Sequence, residues 1–228
     1  DPGSSTTYYV RAEGDCGPKA AVNASVTVRI PSTDPLGISV ASDNTCPGTS
    51  KTLTVLGGSL GTGADWYWYS DAGLSVLEGS GSSLVVDPLV STTYYVRAQG
   101  DCGNSAAVSQ LVTVMVPSTD PTSFTISNDN TCQGTTKTLT VVGGSLGEGA
   151  DWYWYSDAGF VTLVGTGSPI GVDPVSTTTY YVRAQGTCGN TAAVNNVVTV
   201  KEASTDPTGI TVGTDNICPG ESSVLSVV

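Results

Sequence analysis

The chain reads as an all-β protein made of tandem repeats, each a small sandwich of seven strands, and three observations predict this. Its cysteines keep one spacing: Cys16, Cys102 and Cys188 follow one another at intervals of 86 residues, and so do Cys46, Cys132 and Cys218. The phrase STTYYVRAQGDCGNSAAV at residues 91–108 recurs as STTYYVRAEGDCGPKAAV from Ser5 and as TTTYYVRAQGTCGNTAAV from Thr177. Between these landmarks, short alternating segments are punctuated by Gly, Ser, Asp and Asn turns about every 8–12 residues, with no amphipathic helix of useful length. A unit of this size suits a sandwich better than the roughly 20–50-residue units of solenoids.

Residues 32–117 and 118–203 align without a gap and are about two-thirds identical, so each is expected to be a complete repeat. Recurring joints, IPSTDP from Ile30, VPSTDP from Val116 and EASTDP from Glu202, mark the boundaries and are short and stiffened by proline. Residues 1–31 then read as the closing strands F and G of one repeat, and residues 204–228 as the opening strands A and B of another. Neither piece could cover its own strand edges, so the polypeptide is expected to continue at both ends. In residues 32–117 the pattern places strand A near Gly37–Ser42, B near Lys51–Leu56 and C near Asp65–Ser70. A fourth strand follows near Leu74–Glu78, then E near Ser83–Asp87, F near Thr92–Gln99 and G near Ala107–Val116.

Composition excludes several classes of function. Twenty acidic against eight basic residues give a net charge of −12, which repels nucleic acid and anionic lipid surfaces alike. No run approaches the roughly 20 apolar residues of a membrane span. The chain has no histidine, which removes the usual general base and the commonest transition-metal ligand. The acids sit mostly in turns, where capping is their ordinary work, so no enzyme and no cofactor is expected. Asp34, Asp43, Asp120 and Asp129 lie near the joints, where Ca²⁺ held between domains is the alternative to turn capping, although their spacing does not match a calcium loop. The stretches GGSLGTGAD and GGSLGEGAD follow a strand without a helix behind them, which argues against a phosphate loop. The sequon Asn23-Ala24-Ser25 has no counterpart in the other copies.

Seven strands in this order suggest an immunoglobulin-like sandwich, and KTLTV, DWYWYS and TTYYVRA resemble its B, C and F strands. Val55 and Val96, with Val141 and Val182 in the next copy, stand where that pattern has its two cysteines, and Trp68 and Trp154 where it has its core tryptophan. Tyr94 and Tyr180 lie two residues before the second of those positions, where the resemblance implies a hydroxyl bonded back to the chain. Taken together, NTCPGTSKTLTV, WYWY and STTYYVRAQGDCGNSAAV look like the tandem immunoglobulin-like repeats of large secreted surface proteins of Bacteroidota, including gliding and adhesion proteins. That resemblance implies a spacer role, with no activity attached to the fold itself.

Six cysteines in an acidic, histidine-free β chain point to disulfides in an oxidising compartment. If strands alternate in direction, Cys46 in the A–B turn lies at the opposite end of its repeat from Cys102 in the F–G turn, about 25–30 Å away. A disulfide tolerates only about 4.4–6.8 Å between Cα atoms. Stacked repeats would instead bring Cys46 to Cys188, leaving Cys132 and Cys218, and Cys16 and Cys102, for partners outside this window. Pairing within each copy, Cys46 with Cys102 and Cys132 with Cys188, is the alternative, and bonding between neighbouring chains a third.

The two-residue period sends Trp66 and Trp68 to the core and turns Tyr67, Tyr69, Tyr95 and Arg97 outward, repeated as Tyr153, Tyr155, Tyr181 and Arg183. Cross-strand pairing is one reading of this face, and a glycan-binding or lateral-packing surface the other. The expected role is therefore structural: an extracellular or cell-surface filament or adhesin stalk whose partners are further copies of its own repeat, with neighbouring chains or surface glycans as others. A multivalent glycan- or protein-binding module is the alternative.

Overall fold

The computed structural model describes residues 1–228. All its regular elements are strands, and none is a helix that could cross a membrane. The chain divides into two compact units, residues 1–117 and 118–228.

In the first unit, β1 (Thr6–Val10) and β2 (Val22–Val26) form an exposed antiparallel pair. The repeat that follows comprises β3 (Gly37–Ala41), β4 (Lys51–Leu56), β5 (Asp65–Tyr69), β6 (Leu77–Ser80), β7 (Ser83–Val86), β8 (Thr92–Gly100), β9 (Gly103–Asn104) and β10 (Val108–Val112). One sheet runs β3-β4-β7 and the other β10-β8-β5-β6, with β9 as a short hairpin on β8. These are strands A, B and E against G, F, C and the fourth strand, an immunoglobulin-like sandwich. The fourth strand forms at Leu77–Ser80, later than Leu74–Glu78, because a turn claims the residues before it. Asp71 caps that turn. Its Oδ1 accepts from the backbone N–H of Ser75 (2.9 Å) and Val76 (2.7 Å), and Leu74 there has φ 53°.

The second unit repeats this plan with β11 (Ser123–Ser127), β12 (Thr131–Cys132), β13 (Lys137–Val142), β14 (Asp151–Tyr155), β15 (Leu163–Thr166), β16 (Ile170–Val172), β17 (Thr178–Gly186), β18 (Gly189–Asn190), β19 (Val194–Val198) and β20 (Val200–Lys201). A final antiparallel pair is β21 (Ile210–Val212) with β22 (Leu225–Val227). After its first strand each repeat makes a short parallel contact with its closing segment, apart from the two main sheets. There β12 pairs parallel with β20, and a single parallel bridge joins Thr45 to Val114 in the first repeat.

Each sandwich closes on one core. Strand alternation places Trp66 and Trp68 opposite Ala98 and Val96 across β5 and β8, all facing inward. Leu53, Trp68, Val96, Ala98 and Val112 are fully buried, as are Leu139, Trp154, Val182, Ala184 and Val198 in the second repeat. The indole of Trp68 donates to the Gly81 carbonyl (2.9 Å) and that of Trp154 to Gly167 (2.7 Å), so neither buried N–H lacks an acceptor. Val55 and Val141 are only partly buried at the core margin, and the centre of the second strand belongs to Leu53 and Leu139. Tyr94 and Tyr180 are buried, but their hydroxyls make no bond back to the chain. Desolvation, and then the charges of Glu78 and Asp87 at Tyr94 and of Asp173 at Tyr180, push both phenols above their ordinary pKa.

The same strand carries a lysine inward. Lys51 and Lys137 are 0% exposed. The Lys51 ammonium donates to Thr45 Oγ1 (2.5 Å) and that of Lys137 to the Thr135 carbonyl (3.0 Å), which offsets part of the cost of removing each charge from water.

Leu53→Ala or Leu139→Ala should each cost about 2–5 kcal/mol of stability, read as a lower denaturant midpoint at unchanged slope. Acid should also weaken the fold. Asp71 is held below its ordinary pKa by the Val76 N–H foremost, and Asp157 by those of Thr162 and Val161. A depressed folded-state pKa adds stability that is present above the unfolded value of 3.8 and is lost as pH falls through the lower folded value. The melting temperature should therefore hold from neutral pH down to about 5 and drop below 3.8. The Asp71→Asn, Asp157→Asn double variant should melt lower at neutral pH and lose less on acidification.

Candidate functional site

The most elaborate constellation of polar groups in each repeat lies where its joint meets its own loops. In the first repeat the Ser-Thr-Asp triplet is bonded at every residue. Ser32 Oγ accepts from the Gly61 N–H (3.0 Å), and the Thr33 N–H donates to the Ser59 carbonyl (3.0 Å) while their hydroxyls meet at 2.9 Å. Asp34 Oδ1 accepts from the Ala106 N–H (2.8 Å), just ahead of β10. The second repeat reproduces each bond. Ser118 accepts from Gly147 (2.9 Å), Thr119 bonds to Ser145 through its N–H (2.9 Å) and its hydroxyl (2.8 Å), and Asp120 accepts from Ala192 (2.9 Å). Short polar side chains compete well for backbone groups outside regular ladders, which is why Ser, Thr and Asp serve here. Proline presets the backbone of the joint, and these bonds anchor it.

The residues just before the triplet are held from the same side. The Ile30 N–H donates to Thr62 Oγ1 (3.0 Å), the Thr62 N–H returns a bond to the Ile30 carbonyl (2.8 Å), and the Asp101 N–H donates to the Thr62 carbonyl (3.2 Å). Arg29 reaches Asp101 at 3.3 Å, with the two side chains 58% and 42% exposed. Glycine makes this approach feasible. A Cβ on Gly61 would lie 2.1 Å from the Ile30 carbonyl oxygen and 2.6 Å from the Pro31 carbonyl carbon. Gly63, at φ +64°, likewise leaves room for the Asp101 carboxylate, 2.9 Å from where its Cβ would stand. The Gly-rich stretch between β4 and β5 is thus a seat for the incoming chain. Sequence reading weighed it only as a phosphate loop and missed this. The signal was available, since PSTDP and GGSLG recur together in both repeats.

The acids near the joint act as backbone acceptors. Besides Asp34 and Asp120, Asp43 Oδ1 takes the Thr113 N–H (2.7 Å) and Asp129 Oδ1 the Thr199 N–H (2.7 Å), at the far end of the last strand. At Asp43 and Asp129 desolvation raises the pKa. The bonds from Thr113 or Thr199, then Asn44 or Asn130, and the charge of Lys51 or Lys137 outweigh it, so both carboxyls lie below the ordinary value. No group of three or more Cys, Asp and Glu side chains gathers as a metal site would.

Cys46 and Cys188 are disulfide-bonded, whereas Cys16, Cys102, Cys132 and Cys218 are free and exposed. The pairings Cys46–Cys102 and Cys132–Cys188 therefore do not form, since each needs a cysteine that is a free thiol. Fold geometry gives the reason. Cys46 follows the bridge from Thr45 to Val114 at the end of the last strand, while Cys102 sits in the β8–β9 hairpin at that strand's beginning, on the order of 25 Å away along the strand.

The outward face of β5 and β8 differs from the open patch expected. Tyr67 pairs with Arg97 and Tyr69 with Tyr95, as Tyr153 does with Arg183 and Tyr155 with Tyr181. Tyr69 and Tyr155, however, are only 6% and 7% exposed. Arg97 lies over the Tyr69 ring at 5.6 Å, and Gln99 bonds the Tyr69 hydroxyl. In the second repeat Phe160, at φ 56°, adds an edge-on contact to Tyr155 (5.5 Å), and Arg183 lies 4.1 Å over the Phe160 ring. The aromatic rings are spent on one another and on the guanidinium. Tyr67, Tyr95, Tyr153 and Tyr181 remain half-buried at the margin.

No curated protein matches the chain. Among solved structures, the FN1–FN3 domains of chicken CNTN1 are 16% identical, covering 80% of this chain and 72% of that one, with a TM-score of 0.36. Murine CEACAM1b is 15% identical, covering 72% and 98%, with a TM-score of 0.38. The two-domain fibronectin type-III segment of chicken tenascin is 12% identical, covering 73% and 99%, at 0.32. A family model described as Ig-like domain, CHU_C associated, matches residues 35–116 and again residues 120–201. With both sandwiches matched from first strand to last, the chain belongs to the family of CHU_C-associated Ig-like domains.

Proposed function

We propose that this chain is a tension-bearing segment of an extracellular surface filament or adhesin stalk, in which each repeat is seated on its neighbour and clipped to it by sulfur. The observation that carries the reading is the joint. Arg29 and Ile30, which follow the last strand of one repeat, are bonded to Asp101 and Thr62 of the next, and the intervening triplet is fixed at every residue. A flexible tether would need none of these contacts. Cys46 is assigned to Cys188 as its partner, because these two are the bonded cysteines and one period of translation relates their positions to the free Cys132 and Cys102. Such a bond closes a loop of well over a hundred residues, worth about 5 kcal/mol in the chain-entropy account. The role is mechanical, not catalytic. The disulfide-bonded state of Cys46 and Cys188 supports an oxidising, extracellular setting, in which further copies of the repeat would be the first partners. Burial of Tyr69 and Tyr155 weakens the glycan-binding alternative.

Alkylation of free thiols followed by non-reducing tryptic mapping should yield one linked pair, residues 30–51 with residues 184–201, and alkylated peptides for the other four cysteines. Any link containing Cys102 or Cys132 within the monomer would refute the wiring. Gly61→Ala should unseat the joint, because backbone atoms leave the new methyl no space. Expected are a loss of about 1–3 kcal/mol and faster tryptic cleavage after Arg29, with cleavage after Arg11 unchanged. Unaltered cleavage after Arg29 would mean that the seat does not hold the joint.

A further inference from the structure

A groove of about 750 Å³ opens at the end of the second repeat, lined by Cys132, Gly134, Val175, Thr177, Val200 and Lys201 among others. Its floor is the parallel pair β12–β20, and its walls are tied down by Gly134 N–H to Asp173 (3.1 Å) and Val200 N–H to Thr177 Oγ1 (3.1 Å). Cys132 presents an exposed free thiol in it. One period earlier the same cysteine position is Cys46, which is half-buried and disulfide-bonded.

The residues at the groove's mouth have counterparts whose contacts are known. Lys201 corresponds to Met115 and to Arg29, and Glu202 to Val116 and Ile30. Arg29 pairs with Asp101, the residue before Cys102 in the F–G turn of the following repeat, and Ile30 meets Thr62 through its backbone, so the side chain at that position is free to vary. The residue at the Asp101 position varies in step. Where the strand end carries Arg29 the next turn reads Gly-Asp-Cys; where it carries Met115 the next turn reads Gly-Thr-Cys, with Thr187 before Cys188.

We infer that the Cys132 groove is the receptacle for the F–G turn of a further repeat of this kind, and that Lys201 selects a turn with an acidic residue immediately before its cysteine. The strand-end residue and the turn residue follow a two-letter matching rule, basic with acidic and uncharged with uncharged, that favours the seating of each turn on the strand end preceding it in the chain. Opposite charges across a contact favour the right partner mainly by disfavouring the wrong one. In the assembled chain the bond forms by exchange. The Cys132 thiolate attacks one sulfur of a disulfide donor, the incoming turn's thiolate displaces the donor from that mixed disulfide, and the donor leaves as its dithiol with two electrons and two protons. The inference rests on the clipped-repeat reading, and its test is separate from the mapping of Cys46 and Cys188, which uses no added ligand.

Two peptides differing at one residue, Arg-Ala-Gln-Gly-Asp-Cys-Gly-Asn-Ser-Ala-Ala and its Thr-for-Asp form, each carrying the cysteine as a 2-thiopyridyl disulfide, are offered to the native 228-residue chain. Attack by Cys132 forms the new disulfide, and pyridine-2-thione leaves with the bonding electron pair and the proton the thiol gives up. Rates at each cysteine, read by mass mapping, are normalised to those of a small uncharged thiopyridyl disulfide. Cys132 should outpace Cys16 and Cys218 by about fivefold or more, and the Asp peptide should react at Cys132 about threefold faster than the Thr peptide, a span suited to one exposed ion pair. The preference should vanish in Lys201→Met and at high salt. Even labelling of the free thiols would overturn the receptacle, and equal rates for the two peptides at Cys132 would overturn the matching rule. If the tryptic link between Cys46 and Cys188 stands while the peptides fail, only this inference falls.

Discussion

Much of the structure depends on one close approach, the passage of the Ile30 and Pro31 backbone over Gly61. Bringing two main-chain segments into contact leaves amide and carbonyl groups that no sheet ladder can satisfy, and an unsatisfied buried group costs more than a made bond gains. The repeat meets this with Ser32, Thr33 and Asp34 on one side and Ser59 and Thr62 on the other. Those bonds fix the direction in which the chain enters the first strand.

The acidity of the chain takes on a local meaning in this light. Asp34, Asp43, Asp71, Asp120, Asp129 and Asp157 each accept backbone N–H groups at strand ends or turns, where an ionised acceptor makes a stronger bond than a neutral one. Surplus charge on such a surface is therefore more than a solubility device. The buried ammonium groups of Lys51 and Lys137 sit beneath Asp43 and Asp129 and steady the same corner from inside.

What could be read from sequence was what periodicity encodes. The repeat length, the strand order and the inward Trp66, Trp68, Val96 and Ala98 all follow from spacing and alternation, and they appear in the core. The displaced fourth strand was hidden because Leu74 looks like a strand residue, yet it occupies a left-handed turn held by the Asp71 carboxylate, a tertiary decision that propensity does not carry. Lys51 was overlooked since charge normally signals exposure, and here alternation outvoted it. Tyr69 was assigned the correct face and the wrong exposure, because alternation gives direction but not what lies above it. The joint seat was missed for a further reason. Its contacts link residues far apart in sequence, and only the co-occurrence of two polar phrases hinted at them.

The parallel pairing at the end of each repeat has one more consequence. The Met115 N–H donates to the Thr45 carbonyl, and the Asn130 N–H to that of Thr199, so the segment near the entrance of a sandwich runs beside, and in the same direction as, the strand that leaves it. When such a module is stretched from its two ends, these neighbours slide in opposite senses along their common axis. Their hydrogen bonds must then yield as a group instead of opening one at a time like a zip.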